Sequence, residues 1–446
     1  MRTEAEMRKW VGLVALLVAE AMNLLDATIV QVAAPVIHGE LGGATSDIQW
    51  FGAAYTLPFA ALLITGGRLG DLAGRRRVFR IGVTGFVLAS IGCALATQSG
   101  VLIGARAIQG ATAAAIIPQT IGLIRSAFSG PDLPKALGSI GPVMGLAGIS
   151  GPVLGGVITE VTSWRVVFLV NVPLGLAVLG LARLVPESRS PLRRGLDLPG
   201  TGLLIAGSAL LVFPILQSQH WFLAPIGLAV LAACVLQQRA TGARLLELSL
   251  FARPGFGAAL VTSTLFFAVL SGLTLVVVLH QQLTLQHGVL RASLALLPWS
   301  AASGVSSWCA GQWLVQRVDS RLMYAGLGVL LIGLGAAHWW LIPALGVAGA
   351  GVGLFTTAFF TEALSRVEPH ETGSAAGLLN AVQQFGGTLG VAGLGSVFLS
   401  HPTTLHPALL IATAAVLGTL GSAHLMRSPR SRRRVHAAPG PAATGR

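Results

Sequence analysis

Fourteen apolar runs of about 20 residues follow one another through this chain of 446 residues, separated by short polar junctions, and that pattern leaves one class of fold. Hydrocarbon offers backbone amides no partners, so consecutive runs of this length must satisfy their hydrogen bonds internally, as helices. The runs begin near Val11, Ile48, Val78, Val101, Ala136, Trp164, Pro199, Trp221, Gly255, Arg291, Leu322, Pro343, Thr372 and Pro407. Composition agrees: 53% of residues are hydrophobic and 10% charged, with a mean hydropathy of +0.76. The expected fold is all-α integral membrane. The first run is too long, and too soon followed by another, for a cleaved signal peptide.

Basic residues test that segmentation independently, because short cytoplasmic junctions collect Lys and Arg. Every second junction carries them: Arg68, Arg75, Arg76, Arg77 and Arg80 after the second run, Arg125 and Lys135 after the fourth, and so on through Arg317, Arg321 and Arg366. With the two termini these positions hold 26 of the 29 basic residues, leaving Arg106, Arg165 and Arg291. Both termini are therefore expected in the cytoplasm. A net charge of +13 spread over separate loops orients the protein and makes no nucleic-acid footprint. The Arg-rich, Pro-containing tail after Met426 is expected to be disordered and to touch anionic membrane lipid.

Cys93, Cys234 and Cys309 lie singly in apolar runs, which argues against disulfides and metal sites. The histidines are equally scattered, and no nucleotide-binding motif is present. No cofactor, metal, nucleic acid or nucleotide is expected, and the sequence leaves the oligomeric state open.

Polar groups inside the runs are the candidates for function, since a charge at mid-membrane costs roughly 2.5 to 3.5 kcal/mol even on the mild insertion scale. Asp26 lies near the middle of the first run, and Glu20, Asn23, Asp26 and Gln31 fall within about 140° on its helical wheel. Such a stripe can line a path, with a carboxyl serving as a reversible proton carrier; the rival role is a structural hydrogen bond. Arg106, in the fourth run, shares a face with Gly110 and with Gln109, which joins Asn23 and Gln31 as a candidate for lining a substrate cavity, and it requires a carboxylate or water. If its partner is Asp26 or Glu20, protonating the acid frees the arginine and links proton occupancy to geometry. In the thirteenth run Asn380, Gln383, Gln384 and Thr388 share a face, suited either to a polar solute or to interhelical amide bonds.

Two glycine-rich segments stand out. From Gly138 to Gly156 the fifth run carries Gly141, Pro142, Gly145, Gly148, Gly151, Pro152 and Gly155 as well, and its glycines fall within about 140° on a helix. That face is bare backbone against which another helix packs closely and hinges. The second junction, Gly66 to Phe79, places Asp71 four residues before Arg75, with Gly67, Gly70 and Gly74 allowing a sharp turn. It reads as a conformational latch in which Asp71 pairs with arginine or serves a helix N-terminus.

These motifs, in this order, resemble the major facilitator superfamily in its fourteen-span drug:proton antiporter branch, over nearly the whole chain. Gly67, Arg68, Leu69, Asp71, Gly74, Arg75 and Arg76 resemble its loop signature between spans two and three; Arg106, Gln109 and Gly110 its span-four signature. Gly141, Pro142, Gly151, Pro152, Gly155 and Gly156 are similar to its antiporter signature. Leu25–Pro35 and Trp164–Gly175 match its first-span and sixth-span motifs. The resemblance implies two six-helix bundles around a central cavity, rocking to give alternating access, with two spans inserted between them. The expected divisions are 1–185, the first bundle; 186–250, insert and linkers; 251–426, the second bundle; and 427–446, the basic tail. It further implies proton coupling through Asp26 and Arg106, a bundle-interface role for the span-five glycines, and outward transport of amphipathic organic compounds.

Departures count too. Leu72 stands where the loop signature usually carries a basic residue, and the second-half loop, Gly311 to Arg321, is degenerate. No carboxylate lies deep in the tenth or thirteenth run, which favours neutral or anionic substrates. Abundant Ala, Gly and Arg with little Lys point to a GC-rich bacterium, hence its inner membrane. The resulting expectation is a proton-coupled exporter of drugs, antibiotics or secondary metabolites, not an enzyme. An importer or uniporter of the same fold is the alternative, and a polytopic sensor or enzyme lacks a motif in its favour.

Overall fold

The computed structural model describes residues 2–189, 195–241, 249–253, 255–318, 321–365, 367–368 and 371–427. The described residues are almost wholly helical, with no strand among them. The first part comprises α1 (Arg2–Leu41), α2 (Asp47–Ala73), α3 (Arg75–Ala94), α4 (Ser99–Ala113), α5 (Ile117–Ala127), α6 (Asp132–Gly138), α7 (Ile140–Val161), α8 (Trp164–Leu169) and α9 (Asn171–Leu181). A middle pair, α10 (Leu198–Gln217) and α11 (Leu223–Thr241), is followed by the short α12 (Ser249–Ala252). The last part comprises α13 (Phe256–Leu279), α14 (Val289–Leu294), α15 (Leu297–Cys309), α16 (Val315–Val318), α17 (Arg321–Ala336), α18 (Leu341–Ser365), α19 (Thr372–Ser400) and α20 (His406–Arg427).

Eleven helical segments of the described residues are long and apolar enough to cross a membrane, fewer than the fourteen expected. The other three expected spans fall on α14 to α16, broken by a π-helical turn at Ala310–Leu314; on α17, which has 16 residues; and on α19, long enough at 29 residues but diluted by Asn380, Gln383 and Gln384. The basic tail lies outside the described residues apart from Arg427, as does Arg366.

Glycines set the helix pairing. A methyl group on Gly110 of α4 would collide with the Tyr55 carbonyl of α2, and one on Gly151 or Gly155 of α7 with Thr28 or Ile29 of α1. In the last part Gly386 and Gly390 of α19 press on Thr264 and Ala268 of α13, and Gly349 and Gly353 of α18 on Trp299 and Ser303 of α15. Each of these pairs runs parallel, and the same pairing, first span with fifth and second with fourth, recurs in both parts. Small residues admit this approach because lipid supplies no hydrophobic force between helices and van der Waals packing must serve instead.

The two parts join at the end remote from the termini. Gln49 donates to the carbonyls of Val391 (3.0 Å) and Ala392 (3.2 Å), Gln282 donates to Val32 O (2.8 Å), and Thr56 and Thr388 share a hydrogen bond of 2.6 Å. There, too, Gly156 meets Ser293 and Leu290. Towards the end that carries the termini the fit is lost: a side chain on Gly138, Gly141 or Gly145 would meet nothing within 4 Å. The span-five stripe is thus half engaged, its last glycines buried and its first ones open.

In the middle pair, α10 lies along α2, with Thr65 and Thr201 hydrogen-bonded (2.8 Å) at one end and Ser46 donating to Gln217 (3.3 Å) at the other. It also meets α19, where Ser396 donates to Ile215 O (2.9 Å) beside a core of Leu57, Val212, Leu216 and Ala392.

Candidate functional site

The site forms where α1, α2, α3, α4 and α9 converge. Arg106 and Gln109, three residues apart, occupy one face of α4, and Gly110 beside them brings that helix against the α2 backbone. Arg106 Nε therefore reaches the Phe51 carbonyl at 2.9 Å, and its guanidinium lies 4.4 Å from the centre of the Tyr55 ring, a cation–π contact.

From α1, Asp26 meets this assembly directly. Arg106 Nη1 forms an ion pair with Asp26 Oδ2, and Arg106 and Asp26 are each only 1% exposed. Asp26 Oδ1 accepts from Gln109 Nε2 and from Asn171 Nδ2, both at 2.8 Å. The same two amides also donate to Ser90 Oγ, at 2.8 and 3.2 Å, while Gln109 Oε1 accepts from Arg106 Nη1 at 2.6 Å. Three donors from two other helices thus hold one carboxylate, in a site closed to solvent. Breaking such a buried pair by removing one partner typically costs about 3–5 kcal/mol, because the other charge is left without compensation.

Glu20, the other acid expected as a partner for Arg106, lies away from it, buried against Thr120 of α5 with which it shares a hydrogen bond. Asn23 and Gln109 differ from the expected role of lining a substrate cavity, because both are buried and bonded. Asn23 accepts from Tyr55 Oη at 3.1 Å and donates to Ala19 O at 2.9 Å. Gln31 is half-buried on α1. On α19, Gln383 and Gln384 are half-buried, and Asn380 Oδ1 is buried with no hydrogen-bond partner. Gln384 and Asn380 lie one and two turns below Thr388, on the face that meets α2.

At the second junction Arg75 Nη2 pairs with Asp71 at 2.7 Å and crosses α5 where Gly122 leaves room. The Arg76 amide donates to Glu187 Oε1 at 2.9 Å and its side chain to Val185 O at 3.0 Å. Only Gly74 supplies the expected turn, with φ +103°. Gly67 and Gly70 are helical and serve instead to admit Pro118 and Gln119 of α5.

Ser90, Asn171 and Tyr55 were not among the residues singled out in the sequence. Asn171 had a signal, as an amide in the middle of the apolar segment Trp164–Gly175; Ser90 and Tyr55 had none beyond being polar in an apolar run.

The sequence model described as Major Facilitator Superfamily matches residues 16–391. A probable actinorhodin transporter of Streptomyces coelicolor is 39% identical over 419 residues, covering 88% of this chain and 72% of that one. The puromycin resistance protein pur8 of Streptomyces alboniger is 34% identical, over 87% and 82% of the two chains. The cephamycin export protein CmcT of Amycolatopsis lactamdurans is 35% identical, over 88% and 85%. In fold, the human organic anion transporter MFSD10 superposes with a TM-score of 0.63 at 14% identity, covering 94% of this chain and 99% of that one.

Proposed function

This chain belongs to the major facilitator superfamily, and from that membership, which makes it a transporter, we propose that it is a proton-coupled exporter of amphipathic organic compounds. Relatives named for antibiotic export or resistance support the direction and the substrate class. The observation that carries the coupling is the Asp26 carboxylate, buried near the middle of the apolar helix Glu6–Leu41 and held by Arg106, Gln109 and Asn171. Protonation turns that carboxylate from a charged acceptor into a neutral group, and Arg106 loses its counter-charge. The donors around Asp26 must then regroup, which gives the proton a purchase on how α1, α4 and α9 pack.

In this reading Asp26 carries the proton, Arg106 is its electrostatic partner, and Glu20 is an accessory acid. Substrate meets the polar face of α19, with Asn380, Gln383 and Gln384, and Gln31 of α1. The second-junction latch, Gly67, Asp71, Gly74, Arg75 and Arg76, and the span-five stripe steer the rocking of two bundles, 1–185 and 251–426, around the insert. The protein belongs to the fourteen-span antiporter branch, and sits in a bacterial inner membrane with both termini cytoplasmic.

The test uses proteoliposomes, with amphipathic dyes and antibiotics screened for substrate-induced proton movement in wild type and Asp26→Asn. Proton movement that accompanies substrate in wild type and vanishes in the variant is expected. Substrate transport that responds to a pH gradient equally in both proteins would overturn the assignment.

A further inference from the structure

A groove of about 790 Å³ runs along the outer face of α3 at the end that carries the termini, and neither the transport site nor the latch uses its main feature. Arg76, Arg77 and Arg80 line its mouth, and Ile81, Thr84 and Leu88 continue it along the helix. Positions 77, 80, 81, 84 and 88 form one stripe at helical spacing. Gly85 lies within the groove, leaving a notch beside Thr112 of α4.

Charge and exposure define an occupant. Glu187, the one acid in the groove, is matched by Arg76, which it contacts through backbone and side chain. Arg77 and Arg80 are exposed and pair with no described carboxylate, so the groove carries two uncompensated guanidiniums. Beyond them Ile81 and Leu88 are each 62% exposed, on a helix that crosses the membrane from Arg75 to Ala94. Guanidiniums bind phosphate through paired N–H donors, and an apolar strip leading from them into the bilayer suits an acyl chain. A soluble anion satisfies only the first of these features, whereas a membrane lipid satisfies both.

We propose that this groove is a binding site for an anionic phospholipid, its phosphate on Arg77 and Arg80 and one acyl chain along Ile81, Thr84 and Leu88. Because Glu187 and Ser188 hold the first residues of α3 from the linker that leads to the insert, a lipid bound here also braces that linker.

The experiment is lipid titration of the purified full-length protein in neutral detergent, counting bound molecules by native mass spectrometry and following the thermal midpoint. The probes are dioleoylphosphatidylglycerol, dioleoylphosphatidylcholine and inorganic phosphate. Phosphatidylglycerol is expected to bind in preference to phosphatidylcholine and to raise the midpoint. The Arg77→Gln/Arg80→Gln double variant should weaken that binding about tenfold or more, while Arg125→Gln, on the same end but outside the groove, should not. Both substituted side chains are exposed, so the variant is expected to fold. Equal binding of the two lipids, full phosphatidylglycerol binding by the double variant, or displacement of the lipid by millimolar phosphate would each overturn the proposal.

Discussion

Asp26 and Arg106 share their burial so closely that neither can be altered alone without a structural penalty, and this separates their stability role from coupling. Asp26→Asn leaves a buried guanidinium without its counter-ion and should destabilise the protein by about 3–5 kcal/mol. Arg106→Gln should cost a similar amount for the opposite reason. The double variant removes both charges, so unfolding in mild detergent should show most of the loss recovered, with an interaction energy of about 1–3 kcal/mol in the cycle. Proton movement should stay absent in all three variants; coupled transport by the double variant would contradict a carrier role for Asp26. The charged members of this site were legible because a carboxylate and a guanidinium in apolar runs must find each other or water. Asp26 is the leading partner for Arg106 in the sequence, but Glu20 stays open beside it, since a helical wheel fixes the face of one helix and not which neighbour it meets. The roles of Ser90 and Asn171 were hidden for the same reason. They become visible only when α3 and α9 are set beside α1.

Among the elements, the start of α10 has its own electrostatic anchor. Asp197 accepts from the Gly200 N–H at 2.9 Å and from Gln237 at 3.2 Å, and also bonds to Gln238, tying α10 to α11. Burial pushes its carboxyl up, but those donors and the nearby Arg68 charge outweigh it and hold it below the usual carboxylate range. A depressed carboxyl contributes stability that is present above its unfolded value and lost as pH falls through its folded one. Docking of α10 on α11 should therefore be constant above about pH 4 and weaken on further acidification, as read by crosslinking across the pair. Asp197→Ala should cost about 0.5–2 kcal/mol through the lost helix cap and should remove that acid dependence. The places where rods begin were legible throughout, because apolar run length and alternating arginines mark them. Their regularity was not: the π turn in the tenth rod and the polar dilution of α19 depend on what each helix packs against. Gly67 and Gly70 were read as turn residues from their spacing, yet close helix approach demands glycine just as strongly as a turn does.

For the molecule as a whole, the join between the two parts at the end remote from the termini implies that the opposite end is the accessible one in this state. In a background with Cys309→Ser, Gly145→Cys should react with a membrane-impermeant maleimide supplied on the side of the termini. Ser293→Cys, packed against Gly156, should be protected. Substrate with an opposing proton gradient should reverse the two reactivities; equal labelling under every condition would argue against a two-state cycle. Close packing of the span-five glycines is expected from the sequence, but which helices pair, first span with fifth and second with fourth in both parts, is visible only in the glycine contacts of the structure. The lengthwise attachment of α10 was not foreseen, and it bears on what the insert is for. On the proposed rocking cycle α2 and α19 shear past one another, and a bare two-helix seam would admit lipid tails and, with them, leaks. With α10 held to α2 at both ends and resting on α19, the sliding joint has a gasket, so the proposed proton-driven exporter can move without draining its gradient.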